Sequence, residues 1–502
     1  MIHVCICTKI TCEVEWKLVL IHGEQKKYIV YGMESNSNYK YGIKSTFSQC
    51  LALVGAGFLQ VGVGTELICS TVIIGALSDH SNENEWLTMT NEQTSWFGSL
   101  LYLCTPLGSL ISSLVLGRLG HKNCMIITNI PYLVSQIMFF YAKNVETMYA
   151  CSIMMGLSVG FSGGPFSAYI GEVCEPKLRG ALMSATNVFF FSGSLLFATI
   201  YAITRQWRLT VLINMAIPII TIAILCMSPD SPMWLLSKGK NEKAQRTLGK
   251  LRGWVTHDKC SNEFHEMVVF MSANKNSSND KNDKNDSESS WKQLLQPDVL
   301  RPFRLLLIYF FFSNLLSGVP FGPYLVEVFR TFGADVDVQW TVAFSLCIAI
   351  VGGILTVLLV NRLGKRFLTL TTLSICSICY ISIGLIGVYW TNSEQIKSWL
   401  LLTCYLISTF VASFGIMPIG WILLTEIFPM KSRNITCSIC STLSFILSFF
   451  MTKYYPDVVY LVDFYNTFTI FGFGGLIGCV YFYFCLPETE NKTLHEISEF
   501  FK

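Results

Sequence analysis

The feature of this 502-residue chain that most restricts its fold is a series of about twelve long apolar stretches. A helix needs about 20 apolar residues to cross the ~30 Å hydrocarbon core of a bilayer, and each stretch is long enough to do so. Hydrophobic residues make up 52% of the chain and charged residues only 14%, which is more apolar surface than one water-soluble core can bury. We therefore expect an all-α membrane protein, because helices satisfy their own backbone hydrogen bonds in lipid. The predicted spans cover residues 48–70, 95–116, 124–142, 147–170, 182–204, 209–228, 304–328, 340–360, 367–390, 398–424, 435–455 and 464–486.

A short basic loop occurs at equivalent places in the two halves of the chain. Residues 117–122 read Gly-Arg-Leu-Gly-His-Lys and residues 361–366 read Asn-Arg-Leu-Gly-Lys-Arg. The repetition indicates two related six-helix halves, as in many carriers. Between them, the polar composition predicts a cytoplasmic linker with short helices near 241–252 and a disordered stretch at 272–286. The expected organisation is a cytoplasmic tail at 1–46, a bundle at 47–228, the linker at 229–303, a bundle at 304–486 and a cytoplasmic tail at 487–502.

The distribution of charge predicts the orientation of the spans. Positive residues are retained on the cytoplasmic side, and here they fall in alternate short loops. The first loop, residues 79–92, is acidic and contains no lysine or arginine, so it is expected outside. Both termini are then cytoplasmic. The basic residues that support this orientation are Arg118, Lys122, Lys177, Arg179, Arg362, Lys365, Arg366, Lys431 and Arg433.

The remaining composition favours a protein without enzymatic chemistry. Most of the 19 cysteines fall within predicted spans, where a free thiol behaves as a small apolar group. Cys5, Cys7 and Cys12 match no zinc-binding spacing. The sequence shows no nucleotide-binding glycine-rich loop, no paired-histidine metal motif and no nucleophile constellation. We expect no cofactor, no metal and no nucleic-acid partner. The first 32 residues have an alternative interpretation as an extension of the gene model, with initiation at Met33.

Four blocks in the same order resemble the sugar porters of the major facilitator superfamily, especially the insect facilitated trehalose and hexose transporters. They lie at 169–180, 229–236, 418–433 and 487–494, and the resemblance extends from residue 50 to residue 497. It implies the major facilitator fold, with twelve transmembrane helices in two six-helix bundles. It also implies a plasma-membrane monomer that moves hexose or trehalose by alternating access.

Alternating access requires contacts at each end of the bundles that can break and form again. Partly exposed ion pairs suit this role, because each is worth only ~0–1 kcal/mol. Lys177, Lys365 and Lys431 are interpreted as residues that fix topology only. The resemblance implies a cytoplasmic gate formed by Arg118, Glu172, Arg179, Asp230, Arg362, Arg366, Glu426, Arg433 and Glu488.

A sugar site inside the bundles needs side chains that replace the hydrogen bonds of water, together with an aromatic face for the ring. Asn187 falls where the family carries a sugar-binding glutamine, and Trp421 matches the tryptophan of the tenth span. Interhelical hydrogen bonding for Asn187 and interfacial anchoring for Trp421 are the structural alternatives. The full predicted set is Gln60, Asn187, Ser313, Asn314, Tyr324, Trp421 and Ser444.

Departures from the family pattern affect both the gate and the pocket. Gly117 and Asn361 replace the acids that open the repeated loops, while Ser152 and Met233 replace arginines. In the seventh span, Gly-Val-Pro-Phe-Gly-Pro at 318–323 replaces the usual Gly-Ile-Asn run, and Ser-Phe at 444–445 replaces Asn-Trp. The choice between glucose and trehalose cannot be carried over, and a sugar-sensing or degenerate relative stays an alternative.

The first span bears on energy coupling. Gly64 falls where proton-coupled relatives carry an aspartate, which favours facilitated diffusion. Glu66 keeps proton symport open, because an ionisable residue within a span is a functional candidate. We expect Glu66 to lie near the outer end of the span, where water reaches it, and to have a solvated or structural role.

Overall fold

In the computed structural model, the described residues are 42–78, 87–175, 182–183, 185–255, 257–279, 297–391, 393–428 and 433–488. The regular secondary structure in these ranges is helical. The expectations for the N-terminal tail, the three cysteines in it, Lys177, Arg179, Lys431 and the tail beyond Glu488 lie outside the described residues, as does most of the acidic first loop.

The first half contributes six helices, which we number as spans in chain order. Most bounds agree with the predicted ones, but the first helix is longer than predicted at both ends. The helices are Ile43–Leu77 (span 1), Asn91–Leu119 (span 2), His121–Tyr141 (span 3), Val145–Val173 (span 4), Thr186–Thr204 (span 5) and Trp207–Met227 (span 6).

The second half contributes six more helices, and two of them are irregular. Span 7 consists of two α-helical segments separated by a break, and span 10 contains a five-residue π-helix. The helices are Pro297–Leu316 and Leu325–Phe332 (span 7), Val338–Leu363 (span 8), Lys365–Tyr389 (span 9), Glu394–Glu426 (span 10), Arg433–Val462 (span 11) and Phe464–Cys485 (span 12).

Eleven of these twelve helices are long and apolar enough to cross a membrane by length and composition. Span 4 is the exception. It is 29 residues long, but its glycines and serines, for example Gly156, Ser158 and Gly160, lower its mean hydropathy. These residues also allow close packing, because a Cβ added at Gly160 would lie only 1.9 Å from the carbonyl oxygen of Thr105 in span 2. Small residues at such positions let membrane helices approach closely.

The described part of the linker before span 7 contains the helices Pro232–Ser237, Asn241–Leu251 and His257–Asn279. The last one continues into the stretch 272–286 that composition predicts to be disordered, so that prediction is wrong for residues 272–279. Apolar side chains at helical spacing explain the difference, because Phe264, Met267 and Met271 pack on the cluster of Leu235, Leu236 and Ala244. Residues 280–286 lie outside the described part of the chain.

The repeated loops form equivalent tight junctions between consecutive spans. Gly120 ends span 2 and precedes span 3 with a φ of 82°, and Gly364 joins spans 8 and 9 with a φ of 81°. Only glycine adopts such angles without strain. We call the end of the molecule where Gly120 and Gly364 lie the linker end, and the opposite end the far end.

Several helix pairs join the two halves: span 1 packs on the second segment of span 7, span 2 on span 11, and span 5 on span 8. Within the first half, spans 1 and 5 pack backbone against backbone. A Cβ added at Gly193 would lie 2.0 Å from the carbonyl oxygen of Val61. Spans 1, 2, 5, 7, 8 and 11 therefore form the boundary between the two halves.

Candidate functional site

Spans 7 and 10 of the second half are interrupted. The sequence predicts one continuous helix at 304–328, but span 7 ends at Leu316 and resumes at Leu325. Gly318 has a φ of 83°, and Pro320 lacks a backbone N–H, so the helix cannot continue through them. A hydroxyl group replaces part of the lost backbone hydrogen bonding, because Thr452 Oγ1 of span 11 donates to the carbonyl of Val319 at 3.1 Å.

In span 10, the π-helix Ala412–Ile416 stands just before Pro418, whose missing N–H leaves carbonyls without helical partners. Thr356 of span 8 binds these carbonyls, because its Oγ1 donates to those of Phe414 and Ser413 at 2.6 and 3.2 Å. From span 7, Tyr309 Oη and Ser313 Oγ donate to the carbonyl of Ile416 at 3.1 and 3.4 Å. Ser313, a predicted sugar-binding residue, therefore serves the backbone of span 10 in this conformation.

Asn314 connects span 7 to span 11. Its Nδ2 donates to Ser448 Oγ at 3.0 Å, and Ser448 Oγ in turn donates to the carbonyl of Ser444 at 3.0 Å. Asn314 is half-buried, whereas Ser444 and Ser448 are buried. Of the predicted polar residues, Asn314 and Ser444 are thus brought together, and Ser448 is a partner that the sequence does not single out.

Trp421 of span 10 packs on the same two spans as this pair. Its ring centroid is 5.2 Å from that of Phe310 in span 7 and 5.9 Å from that of Phe445 in span 11. Two aromatic neighbours hold the indole, yet 41% of Trp421 stays exposed. We call Phe310, Asn314, Trp421, Ser444, Phe445 and Ser448 the aromatic wall; it combines ring faces with amide and hydroxyl groups, the combination that suits a sugar.

The other predicted site residues lie apart from the aromatic wall. Asn187 is the second residue of span 5 and is half-buried, and Gln60 is buried in span 1. Both belong to the first half of the chain. Tyr324 lies beyond the break of span 7 and stacks on Tyr455, with ring centroids 5.5 Å apart. Among the described residues the hydroxyl of Tyr455 has no hydrogen-bond partner.

The two halves are joined at the far end by polar contacts that the sequence analysis misses. Lys453 Nζ of span 11 donates to Ser95 Oγ of span 2 at 2.8 Å and lies 4.7 Å from the ring centroid of Trp96. Thr71 Oγ1 of span 1 donates to the carbonyl of Gly322 at 2.9 Å. A lysine inside a predicted span is a functional candidate by default, so the presence of Lys453 in the predicted span 435–455 could have indicated this contact.

Arg205 and Asp337 form a further ion pair between the halves at the far end, from the end of span 5 to the N-cap of span 8. Both side chains are partly exposed. Burial raises the pKa of Asp337, but hydrogen bonds from Arg205 and from the backbone N–H of Trp340 lower it by more, so the net pKa lies below its usual value. The carboxylate is therefore charged at neutral pH.

At the linker end, the two repeats place a carboxylate opposite a buried basic residue. Lys365 Nζ lies 2.7 Å from Glu426 Oε2, and His121 Nδ1 lies 3.5 Å from Glu172 Oε2. Ser231 Oγ also donates to Glu172. The interpretation of Lys365 as a residue that only fixes topology is wrong, because it is 6% exposed and bound to a carboxylate. Residue spacing could not reveal this pair, which only helix packing creates.

The other predicted gate residues make contacts of their own. Glu488 accepts hydrogen bonds from the backbone N–H groups of Lys365 and Arg366 at 3.1 Å and so caps span 9. Asp230 pairs with Lys243 of the linker at 2.7 Å. Arg118 and Arg362 are exposed, and Arg366 donates to the carbonyl of Tyr483. The side chain of Arg433 is not among the described ones, and Arg179 lies outside the described residues.

Glu66 departs most from the expectation. The sequence analysis places it near water at the outer end of its span, but it is 1% exposed and lies eleven positions before the end of span 1. Its Oε1 has no hydrogen-bond partner among the described residues. The preceding Thr65 binds Tyr132 of span 3, which accepts a hydrogen bond from Asn214 of span 6 at 2.9 Å. The prediction is wrong because span 1 extends to Leu77 and other helices cover this position.

Among the described residues, one cavity of about 430 Å³ near the linker end is lined by side chains of span 7, including Leu300, Arg304 and Ile308. Another, of about 360 Å³, lies at the far end, between Thr331 and Tyr465. The residues of the aromatic wall line neither of them.

Comparisons with known proteins agree with this architecture. The family model "Sugar (and other) transporter" matches residues 36–501. Facilitated trehalose transporter Tret1 of Apis mellifera ligustica is 25% identical over 460 residues, covering 90% of this chain and 88% of the relative. The Tret1 of Bombyx mori is 26% identical over 479 residues, covering 93% and 90%.

Among solved structures, the inward open conformation of the xylose transporter XylE from E. coli aligns with a TM-score of 0.71 and 18% identity, covering 91% of this chain and all of that one. The proton:xylose symporter XylE bound to 6-bromo-6-deoxy-D-glucose aligns with a TM-score of 0.69 and 19% identity, covering 93% of this chain. These likenesses confirm the predicted fold of twelve transmembrane helices in two six-helix bundles. The matched relatives are transporters rather than enzymes. The chain belongs to the sugar transporter family, whose model matches nearly all of it.

Proposed function

We propose that this chain is a facilitated-diffusion carrier of the plasma membrane that moves hexose or trehalose by alternating access. The aromatic wall is the observation that carries the proposal. Trp421 is held by rings of spans 7 and 11, which also carry Asn314 and its partner Ser448, and 41% of Trp421 is exposed. The indole can cover the apolar face of a sugar while the amide binds its hydroxyls. The facilitated trehalose transporters named above support the class of sugar.

The contacts between the halves support the transport cycle. At the far end, Lys453, Thr71 and Arg205 join the halves through single hydrogen bonds and an exposed ion pair, which are weak enough to break. The positive residues of the repeated loops and the linker support a cytoplasmic linker end. We infer that both termini are cytoplasmic, that the chain works as a monomer, and that the predicted gate residues close the linker end when the far end opens.

The proposed pocket lies between the aromatic wall and the residues of the first half, Asn187 and Gln60. Rocking of the halves changes the distance between the two groups, so that a sugar is bound from both sides only in the closed intermediate. Tyr324, beyond the break of span 7, then bounds the pocket on the far side. Ser313 binds span 10 in this conformation and contributes to sugar binding when that contact breaks.

Uptake of labelled trehalose and glucose by the full chain, in cells that lack other sugar carriers, tests the proposal. Trp421→Ala should reduce uptake at least tenfold, about the effect of losing 1.4 kcal/mol of binding, at unchanged surface expression. Trp399→Ala is the matched control, because Trp399 is equally exposed on the other segment of span 10. Equal uptake by both variants would remove Trp421 from the site. Absence of uptake by the parent chain would favour the sensing or degenerate alternative.

Asn187 is tested in the same assay. Asn187→Ala should lower uptake, while Asn123→Ala should leave it unchanged, because Asn123 Nδ2 bonds only to the carbonyl of Leu119 at 3.0 Å across the junction of spans 2 and 3. Normal uptake by Asn187→Ala at normal surface expression would place this residue outside the site.

Proton symport is the second candidate, and the burial of Glu66 favours it. A carboxyl group enclosed by helices, with one oxygen unpartnered, is the kind of intramembrane group that carries protons. Uptake measured with an imposed inward proton gradient separates the candidates. Stimulation by the gradient that disappears in Glu66→Gln would replace facilitated diffusion by symport, whereas gradient-independent uptake supports the first proposal.

A further inference from the structure

The two repeats build the same contact at the linker end from different basic residues. After Gly120 and Gly364, which share the same backbone conformation, the next residue begins a span and turns inward. His121 is 8% exposed and Lys365 is 6% exposed. Each faces the glutamate near the end of the following span, at 3.5 Å and 2.7 Å respectively. The pair in the first half is therefore the structural counterpart of the pair in the second half.

The chemistry of the two pairs differs because of the basic residue. A lysine beside a carboxylate is charged at every physiological pH, whereas histidine titrates between about pH 5 and 8. His121 Nδ1 is buried and has no hydrogen-bond partner in the described part of the chain, although Glu172 Oε2 is close. Protonation gives both ring nitrogens a hydrogen, so that Nδ1 can donate to Glu172 and the two charges pair.

The surroundings of His121 contain other charged groups, but most of them already have partners. Lys122 Nζ donates to the carbonyls of Cys226 and Ser228, and Asp230 is paired with Lys243. The titratable and charged groups on the elements packed around His121 are Arg118 of span 2, Lys122 of span 3, Tyr169, Glu172, Cys174 and Glu175 of span 4 and its end, Asp230 after span 6, and Lys238 and Lys243 of the linker.

We propose that His121 is a positioning residue that controls whether Glu172 is neutralised within the first half, so that sugar transport depends on the pH at the linker end. With neutral His121, the charge of Glu172 is available to basic residues of the second half, such as Arg362, and favours closure of the linker end. With protonated His121, that charge is paired within its own half, and closure is weakened. In the second half Glu426 is paired with a lysine, so that half has no histidine at the equivalent place. This inference rests on the transport function proposed above.

The pairing itself can be tested without transport, through the thermal unfolding midpoint of the purified full chain. A double-mutant cycle with His121→Gln and Glu172→Gln measures their coupling. We expect the two substitutions to be non-additive by about 1–3 °C in the unfolding midpoint at pH 5, and additive at pH 8. The same cycle with Lys365→Met and Glu426→Gln is the control and should show coupling at both pH values. Equal coupling of His121 and Glu172 at pH 5 and pH 8 would overturn the proposal.

The effect on transport is tested in proteoliposomes with the pH controlled on the linker side. The parent chain should change its rate about twofold to fivefold between pH 5 and pH 8, and His121→Lys should abolish this dependence. Lys365→His should add a new pH dependence in the second half. His265→Lys is the matched control, because His265 is exposed on the linker. A pH profile of His121→Lys that equals the parent profile would refute the role in transport, and complete loss of uptake by the parent would instead refute the proposed function.

Discussion

Lys453 allows the clearest test of how the two halves hold together. The change Lys453→Met keeps the length of the side chain but removes its charge and its hydrogen-bond donor. Two contacts across the halves are lost, the 2.8 Å hydrogen bond to Ser95 Oγ and the contact of the ammonium group with the ring of Trp96 at 4.7 Å. The carbonyl of Lys453 still accepts from Ser95, so the backbone contact is kept.

The magnitude follows from these two contacts. A cation over an aromatic ring contributes about 0.5–1 kcal/mol at a partly exposed site. A hydrogen bond from a charged group contributes about 1.5 kcal/mol at the lower end of its range. Because Lys453 is half-buried and its ammonium group regains water when the far end opens, we take a total of about 1–2 kcal/mol. This energy corresponds to an increase of about fivefold to thirtyfold in the ratio of open to closed far end.

A cysteine at position 326 reports the opening. Val326 is 1% exposed and lies against Gly75 of span 1, across the line between the halves, and cysteine replaces valine with little change in volume. The rate of labelling by a membrane-impermeant maleimide then measures the fraction of molecules with an open far end. The signal is the difference from the parent chain, whose exposed cysteines include Cys226 and Cys347.

Lys397→Met is the matched control. Lys397 is also half-buried and lies 5.3 Å from the ring centroid of Tyr465, but both residues belong to the second half. We expect faster labelling with Lys453→Met and no change with Lys397→Met. Equal labelling rates in the two variants, with both proteins folded, would refute the assignment of Lys453 to far-end closure.

Three further predictions concern packing, the linker and pH. Gly64→Val should abolish folding, because the added Cβ would lie 1.9 Å from a carbonyl oxygen of span 5. Gly117→Ala should be neutral, because its added Cβ meets nothing within 4 Å. Size-exclusion chromatography measures both. Arg252→Met should destabilise the protein by about 1–3 kcal/mol in denaturant unfolding, since it removes the charged hydrogen bond from the buried Arg252 to Glu263 at 2.6 Å. The exposed Arg246→Met should cost under about 0.5 kcal/mol. Because the pKa of Asp337 is lowered when the far end is closed, its charge stabilises closure above the usual aspartate pKa of about 3.9, and this contribution is lost as the pH falls below that value. Asp337→Asn should therefore open the far end at neutral pH but not in acid, measured by the same maleimide assay.

The positions of the spans could be predicted because hydropathy is a local property. Eleven of the twelve helices satisfy the length and composition expected of a span, and the repeated loops fall at equivalent junctions. The break in span 7 shows the limit of this reasoning. Gly318 and Pro320 are visible in the sequence, but an apolar run on both sides suggests one continuous helix. Hydroxyl groups of other spans, those of Thr452 and Thr71, bind carbonyls of the break and make it tolerable in a membrane.

The candidate site was predictable only in part, for a related reason. Resemblance to the family indicated Trp421 and Asn314, which do lie together in the aromatic wall. It did not indicate Ser448, because a serine in an apolar helix gives no sign of its neighbours. It also placed Glu66 near water, whereas the length of span 1 and the helices around it enclose that side chain completely.

The sequence by itself determined that the chain spans a membrane many times, that it consists of two related halves, and that it resembles sugar porters. These conclusions depend on composition and order along the chain. Only the tertiary structure decided that Lys453 reaches Ser95 across the halves, and that His121 and Lys365 occupy equivalent places with different chemistry. The physical reason is that a contact between side chains of distant helices depends on how each helix is rotated and how deep it lies in the bundle. Packing among residues far apart in the chain sets both of these.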